Sequence, residues 1–480
     1  MQVQPNWLKQ RSELTPDRTA IIFANEHLTF FELYEKARNM AFQLQTFIRA
    51  AERNTIAILL ENHIETVIFI HACFLSGCKL VLLNTRLTKA ERDFQIKNSQ
   101  ASLLVTEEKW LEDHRQNCET VLLSHLKSLK ADDGDLLFEI VLAETATIMY
   151  TSGTTGSPKG VEQTFGNHYF SAVSSALNLG LSDHDKWLIA LPLFHISGLS
   201  ALFKSVIYGM PVILHKRFET EEINRSINEH RVTMISVVQT MLTQLVQSVN
   251  RSPESLRCVL LGGGPAPLKL LEDSKQKDFP VYQSYGMTET SSQIVTLPPE
   301  YSLAKLGSAG KPLFSCEIKI MKDGKPCEPN EHGEITVKGP NVMKSYFHNQ
   351  KATEQSFQNG WFLTGDMGYL DDEGFLYVLD RRSDLIISGG ENIYPAEVEA
   401  VLLAHPSVKE AGVTGTEDDR WGKVPCAFIV RRSWINEEEL LEHCKKKLAK
   451  YKIPKQIYFV DELPRNASNK LLRNKLKNLL

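Results

Sequence analysis

Long apolar runs are missing from this chain of 480 residues. The opening Met1 to Pro16 is polar and has no hydrophobic segment of the kind a secretory leader carries. The most apolar later stretch, Leu199 to Leu214, is interrupted by Lys204, Gly209 and Pro211. A soluble cytoplasmic protein is therefore expected. Paired cysteines are also missing: Cys73, Cys78, Cys118, Cys258, Cys316, Cys327, Cys426 and Cys444 are scattered without a C-x-x-C pair, which argues against a disulfide framework or a zinc ribbon and for reduced thiols. An excess of one charge is missing as well. With 54 Lys+Arg against 58 Asp+Glu the net charge is −4, too small to draw the whole chain onto nucleic acid or an anionic membrane. No internal repeat or low-complexity tract is present, which removes solenoid and linker-rich classes.

What remains is a composition of 42% hydrophobic and 23% charged residues, enough for sizeable cores, in a chain long enough for about three compact units. Thr29-Phe30-Phe31-Glu32 has capping-box form, and Leu33, Ala37, Met40, Ala41 and Leu44 recur at helical spacing after it. The rhythm then alternates. Thr55 to Leu60, Leu80 to Leu83 and Ser102 to Thr106 read as strands, with helices beginning near Asn62 and Thr88 between them, as parallel βαβ units require. Further strands are expected at Ala146 to Tyr150, Trp187 to Leu191, Thr233 to Val238 and Val259 to Leu261. From Leu385 a fresh set of short elements begins. Helices are expected at Ala396 to Leu403 and Glu437 to Leu448, with extended pieces at Ala411 to Val413, Ala427 to Val430 and Ile457 to Val460. These make a separate α+β domain over 385–480, joined to residues 1–380 by a polar hinge at 381–384.

The stretch Thr151-Ser152-Gly153-Thr154-Thr155-Gly156-Ser157-Pro158-Lys159-Gly160 follows a strand directly. Glycines let backbone N–H groups approach anionic oxygens, hydroxyls add donors, and Lys159 adds a positive charge, so the stretch suits a polyphosphate. It is not a Walker A loop, since the spacing G-x-x-x-x-G-K-[ST] cannot be fitted.

This loop resembles the signature of the acyl-adenylate-forming superfamily, which includes acyl-CoA synthetases, luciferases and peptide-synthetase adenylation domains. Leu191-Pro192-Leu193-Phe194-His195 is similar to that family's substrate-side histidine motif, and Gly262-Gly263-Gly264-Pro265 to its adenine-side loop. Tyr285-Gly286-Met287-Thr288-Glu289 is similar to Y-G-x-T-E, and Gly360 to Asp366 to the ribose aspartate motif. Asp380-Arg381-Arg382-Ser383-Asp384 resembles the hinge, and Pro464 to Lys470 the segment carrying the catalytic lysine. The fold this implies is a large N-terminal α/β lobe of doubly wound sheets and a distorted barrel, followed by a small mobile α+β domain.

The resemblance also implies roles. Thr151, Ser152, Gly153, Thr154, Thr155, Gly156, Lys159, Gly262, Gly263, Gly264, Ser284, Tyr285, Gly286, Met287 and Thr288 would surround ATP and AMP. Asp366 and Arg381 would hold the ribose hydroxyls, a task for an acceptor and a fixed donor fork. Glu289 would bind Mg²⁺, a hard cation that takes carboxylate oxygen and bridges phosphates. Lys470, His195 and Thr288 would be catalytic, Lys470 neutralising charge as the mixed anhydride forms. Asp384 would be the pivot about which the small domain turns for thioester formation, with Ser388, Gly389, Gly390 and Trp421 on the CoA side. Asn469 departs from the family, which usually has glycine before the lysine; asparagine tolerates the left-handed backbone that such a turn uses.

His195, Ser197, Gly198, Thr240 and Ser291 are the acyl-pocket candidates, and several are small and polar, unlike the lining a long fatty chain needs. Thr164 to Phe170, Phe194 to Leu202 and Pro464 to Arg473 resemble the 2-succinylbenzoate:CoA ligases of menaquinone synthesis. That resemblance implies ATP, Mg²⁺ and coenzyme A as co-reactants, adenylation of the succinyl carboxylate, and an aromatic carboxylate held at the far end of the pocket. Because an unpaired buried carboxylate is costly, Ser197, Ser291 and Lys204 or an ordered water are the candidates for satisfying that second charge. Another acyl- or aryl-CoA ligase, a peptide-synthetase-like enzyme and a non-catalytic nucleotide-binding relative are the alternatives. Neither nucleic acid nor integral membrane association is expected, and monomer and homo-oligomer are both left open.

Overall fold

The computed structural model describes residues 2–48, 55–111, 118–130, 134–151, 158–264, 266–381, 384–388, 391–418, 421–448, 450–466 and 470–480. Near the N-terminus the strands Thr19–Phe23 and Glu26–Thr29 pair antiparallel across Ala24 and Asn25. The Thr29 amide then donates to Glu32 Oε2 at 2.8 Å and the Glu32 amide to Thr29 Oγ1 at 3.2 Å, closing the expected capping box. The helix Phe30–Ile48 that follows buries Leu33, Ala37, Met40, Ala41 and Leu44, and it packs along the apolar helix Ile64–Leu75.

A seven-stranded sheet carries the first lobe. Its order runs Ser345–Tyr346, Lys159–Thr164, Thr145–Thr151, Lys79–Leu82, Thr55–Leu59, Leu103–Thr106, Glu119–Leu122. The last five strands of that order are mutually parallel, and Thr55–Leu59 is buried along its whole length, as a strand covered on both faces must be. Thr145–Thr151 turns back antiparallel into Lys159–Thr164, so the glycine- and hydroxyl-rich stretch connects two adjacent strands.

The second sheet has fifteen strands. Its parallel part orders Thr19–Phe23, Val212–Leu214, Trp187–Ile189, Met234–Val238, Cys258–Gly262 and Val281–Met287. The chain passes from Trp187–Ile189 to one neighbour and then to the other. The direction of winding therefore reverses between Trp187–Ile189 and Met234–Val238, and ligands settle at the carboxyl ends of strands at such a point. Past Val281–Met287 the sheet becomes antiparallel through Ser292–Leu297, Ser308–Pro312, Leu376–Arg381, Trp361–Leu370, Gly333–Lys338 and Glu317–Lys322, in the region where the barrel is expected.

The small domain has its own sheet and its own core. Val408–Asp418 and Gly422–Arg431 form a long antiparallel pair flanked by the hairpin Ile386–Ser388 and Glu391–Ile393 and by Gln456–Phe459. Helices Pro395–Leu403 and Glu437–Lys445 cover Ile386, Ile393, Val413, Ile429 and Ile457. Among the described residues no helix is long and apolar enough to cross a membrane.

Candidate active site

The strand Trp187–Ile189 ends in the Leu191-Pro192-Leu193-Phe194-His195 motif, which Asn62 clamps from the first lobe. Asn62 Nδ2 donates to Leu191 O at 3.0 Å and to His215 O at 3.1 Å, and its Oδ1 accepts from the Leu193 amide at 2.9 Å. All three bonds of one buried amide are used, so the motif is fixed at the junction of the two sheets. His195 then caps the helix Ile196–Tyr208. Its Nε2 is buried without a partner, and burial first, then the charge of Arg86, pushes the ring down to about 4, so the imidazole is neutral at pH 7. Gly198 cannot be larger, because a Cβ there would lie 2.4 Å from Pro192 O.

Ser197, Ser200 and Lys204 fall on one face of this helix by their spacing. Ser197 is exposed at the helix start, whereas Ser200 is buried and donates to Ser292 Oγ at 3.2 Å. Lys204 is almost wholly buried, with its ammonium 5.3 Å from the Trp187 ring centroid. Among the described residues no carboxylate is paired with it, and burial lowers it to about 8. Thr240 is exposed in the first turn of the helix Gln239–Ser248, directly after the strand on the other side of the winding reversal.

The nucleotide-side residues gather on neighbouring strands. Gly262 ends the strand Cys258–Gly262, Gly263 and Gly264 follow it, and Ser284 of the adjacent strand donates to Leu261 O at 2.9 Å. In the same strand Tyr285 donates its hydroxyl to Asp366 Oδ2 at 2.8 Å, while Asp366 pairs in register with Arg381. The two residues expected on the ribose are thus cross-strand neighbours, and the tyrosine orients the carboxylate. Gly286 meets Ser292 so closely that a Cβ would lie 2.1 Å from its carbonyl oxygen. Met287 ends the strand and caps the short 3₁₀ turn Thr288–Thr290, which carries Thr288 and Glu289.

Tyr346, which no motif of the sequence singles out, joins two parts of the site. Its hydroxyl donates to Glu289 Oε1 at 3.0 Å and its ring lies 4.8 Å from Lys159 Nζ. A single anchored carboxylate fits Mg²⁺, which binds through one or two carboxylates plus substrate phosphates. No cluster of three or more metal-ligating side chains occurs among the described residues. Thr151 ends its strand, half-buried; Ser152, Gly153, Thr154, Thr155 and Gly156 lie outside the described residues, as do Pro265, Gly389, Gly390 and Asn469.

Ser291 is placed differently from the pocket role expected of it. It is fully buried in the left-handed region at φ 52°, and its hydroxyl accepts from Gln163 Nε2 at 3.4 Å, so it serves the anchoring of its own turn. In the small domain, Ser388 is buried at the end of its strand and pairs with Glu391 across the hairpin, while Trp421 is exposed at the surface. Lys470 is exposed; the Asn466 amide donates to Lys470 O at 2.9 Å and the Lys470 amide donates to Asn466 Oδ1 at 2.8 Å. Three residues on, Arg473 bonds Asp380 at 2.7 Å, Asp384 at 3.0 Å and both oxygens of Glu399 at 2.8 and 2.6 Å. Burial opposes its charge, and Glu399, Asp380 and Asp384 outweigh that and raise its pKa.

A cavity of about 560 Å³ opens on the far side of Asn62, at the carboxyl ends of Thr55–Leu59 and Leu103–Thr106. Its lysines are engaged: Lys109 and Lys216 meet Glu61 at 2.6 and 2.8 Å, and Lys127 meets Glu65 at 2.6 Å. None of the motif residues lines it.

Comparison with known proteins agrees with this geometry. Residues 8–347 match the family described as AMP-binding enzyme, and residues 397–470 the AMP-binding enzyme C-terminal domain. The chain is 62% identical over 476 residues to the 2-succinylbenzoate--CoA ligase of Bacillus subtilis, covering 99% of this chain and 98% of that protein. Solved structures of o-succinylbenzoate CoA synthetase from Bacillus subtilis match at TM-score 0.97 and 62% identity, over 99% of this chain and 99% or more of theirs. One holds the acyl-adenylate intermediate, another ATP and a magnesium ion. A double mutant of that synthetase bound to its product analogue, also 62% identical and 99% covered on both sides, matches at TM-score 0.80. From its motifs, its fold and these matches, the chain belongs to the AMP-binding enzyme family.

Proposed function

We propose that the protein is the acid–thiol ligase that activates 2-succinylbenzoate. With ATP and Mg²⁺ it adenylates the succinyl carboxylate and releases pyrophosphate, then passes the acyl group to CoA with release of AMP, a step of menaquinone synthesis. Catalysis gains chiefly by holding a carboxylate in line with the α-phosphorus, whose anionic oxygens repel it, which is a matter of position and charge neutralisation. Asp366, oriented by Tyr285, holds the ribose together with Arg381. Glu289 holds Mg²⁺ against the phosphates, Thr288 meets the α-phosphate, and Lys470 approaches the reacting oxygens. Residues 1–380 form the adenylating domain and 385–480 the mobile one, joined at 381–384. Supporting this, the chain matches the acyl-adenylate complex at TM-score 0.97 and the product-analogue complex at 0.80, as expected if the two domains are arranged differently in the two steps.

The observation that carries the choice of acid is Lys204. A buried ammonium with no carboxylate beside it costs several kcal/mol, roughly, and a substrate anion offsets that cost. It sits on the same helix as His195, two turns deeper, where the second carboxylate of a dicarboxylic acid would reach. Ser197 stands at the helix start and Ser200 with Ser292 between the two.

Two measurements test this. In a pyrophosphate-release assay across 2-succinylbenzoate, benzoate, 4-chlorobenzoate, octanoate and amino acids, with the thioester detected by mass, 2-succinylbenzoate should turn over selectively; preference for a monocarboxylic acid would refute the assignment. Lys204→Met should raise KM for 2-succinylbenzoate about a hundredfold, the equivalent of roughly 3 kcal/mol for a truncated buried charge pair. The same change should raise the thermal midpoint, because it removes a buried charge. The pH profile has a fixed sign. Lys204 carries its charge below about pH 8 and loses it above, so KM should climb about tenfold per unit above that pH in the wild type and stay flat in Lys204→Met.

A further inference from the structure

The turn Thr288–Ser291 is held from outside at four consecutive main-chain carbonyls. Gln163 Nε2 donates to Thr288 O at 2.7 Å. The Met343 amide donates to Glu289 O at 2.7 Å, Asn341 Nδ2 to Thr290 O at 2.9 Å, and Ser171 Oγ to Ser291 O at 2.7 Å. These donors come from three segments, the strand of Gln163, the helix of Ser171 and the connection carrying Asn341 and Met343, and Gln163, Asn341, Thr290 and Ser291 have no solvent exposure. The turn is also strained, with Ser291 at φ 52° and Ser292 at φ 112°. Such positions in non-glycine residues cost on the order of 1–3 kcal/mol each and persist where the surroundings over-determine them.

Asn341 is backed by the Cys316 thiol, which donates to its Oδ1 at 3.2 Å, and Gln163 by a longer relay of two residues. Thr147 Oγ1 lies 2.9 Å from Gln163 Oε1 and 2.8 Å from His168 Nε2. The Thr288 carbonyl can only accept, so the Gln163 amide nitrogen faces it and the Gln163 oxygen faces Thr147. Thr147 must then donate to Gln163 and accept from His168, which fixes the His168 proton on Nε2. Its Nδ1 is bare and without a partner, in agreement with a ring that burial keeps neutral. Every proton in the relay has one place to be. Because the peptide unit is planar, fixing the Thr288 carbonyl also fixes the direction of the Glu289 N–H and the two Cα atoms from which the Thr288 and Glu289 side chains start.

We propose that Gln163, backed by Thr147 and His168, is a positioning residue for adenylation, holding the strained turn so that the Thr288 hydroxyl and Glu289 carboxylate meet the nucleotide phosphates in register. This rests on the roles given above to Thr288 and Glu289. A positioning group of this kind acts on the rate of the first half-reaction, since misplacement by about 1 Å costs up to roughly a hundredfold in rate.

The test compares wild type, Gln163→Met and Thr147→Val in full-length enzyme. The measurements are ATP–pyrophosphate exchange with 2-succinylbenzoate, transfer from supplied acyl-adenylate to CoA, and the thermal midpoint. Exchange kcat should fall about tenfold in Gln163→Met and about threefold in Thr147→Val, with KM for the acid within about twofold and transfer to CoA unchanged. A folded Gln163→Met with wild-type exchange, or equal losses in exchange and transfer, would overturn the proposal. Thr147→Val breaks the relay without touching the turn, so it decides the matter if Gln163→Met does not fold. Absence of exchange in the wild type would instead refute the assigned reaction.

Discussion

The turn Thr288–Ser291 and the pair Asn466 and Lys470 belong to segments that both present groups to the phosphates in the proposed reaction, and they are held in opposite ways. The first is anchored at four consecutive carbonyls by donors of its own lobe. The second is tied to the small domain at its base, through the bridge between Arg465 and Leu471 and the ion pair of Arg465 with Glu410. Arg473 then reaches across to Asp380 in a strand of the large lobe. A group that must meet the nucleotide phosphates in register gains from rigidity, whereas one that must leave before a thiol can enter is better mounted on a part that moves as a body. Arg473 is suited to be the releasable tie, since a guanidinium can exchange one carboxylate partner for water while keeping Glu399.

Removing the moving charge should have the largest effect. Lys470→Ala should lower ATP–pyrophosphate exchange by about 10²–10³, the usual loss for one electrostatic stabiliser of a transition state. Next, Asp384→Pro should stiffen the expected pivot and slow the transfer step by about thirtyfold, leaving exchange within about threefold. Comparable slowing of both steps would move the pivot away from Asp384. The smallest effect belongs to the tie. Arg473→Lys keeps the charge but not the fork, and exchange should fall about fivefold, less than one full charge-assisted hydrogen bond of roughly 1.5–3 kcal/mol would give. If Arg473→Lys slowed transfer more than exchange, Arg473 would not be holding the adenylating arrangement.

Local sequence made part of this visible. The Thr29 and Glu32 capping box, the strands at the carboxyl ends of which the motifs sit, and the order of the motifs all depend on residues within a few positions of one another. The small-domain strand expected at Ala411 to Val413 extends over Val408–Asp418, because pairing with Gly422–Arg431 carries weak strand formers such as Gly412 and Gly415. Gln163 alternates along Lys159–Thr164 like any polar strand residue, and its partner Thr288 lies 125 positions away. Asn62, Tyr346 and Arg473 were hidden for the same reason: Asn62 and Leu191 are 129 positions apart, and Arg473 and Asp380 are 93 apart. Lys204 interrupts an apolar run and so reads as a break in hydrophobicity; its value as a charge appears only when the helix is packed around it.

The division between a fixed turn and a moving lysine is tested most directly by giving Lys470→Ala preformed 2-succinylbenzoyl-adenylate and measuring single-turnover transfer to CoA. The account predicts a rate within about threefold of wild type in the same enzyme whose exchange reaction is crippled, because Lys470 has left the site when the thiol attacks. A transfer rate reduced as far as the exchange rate would contradict it.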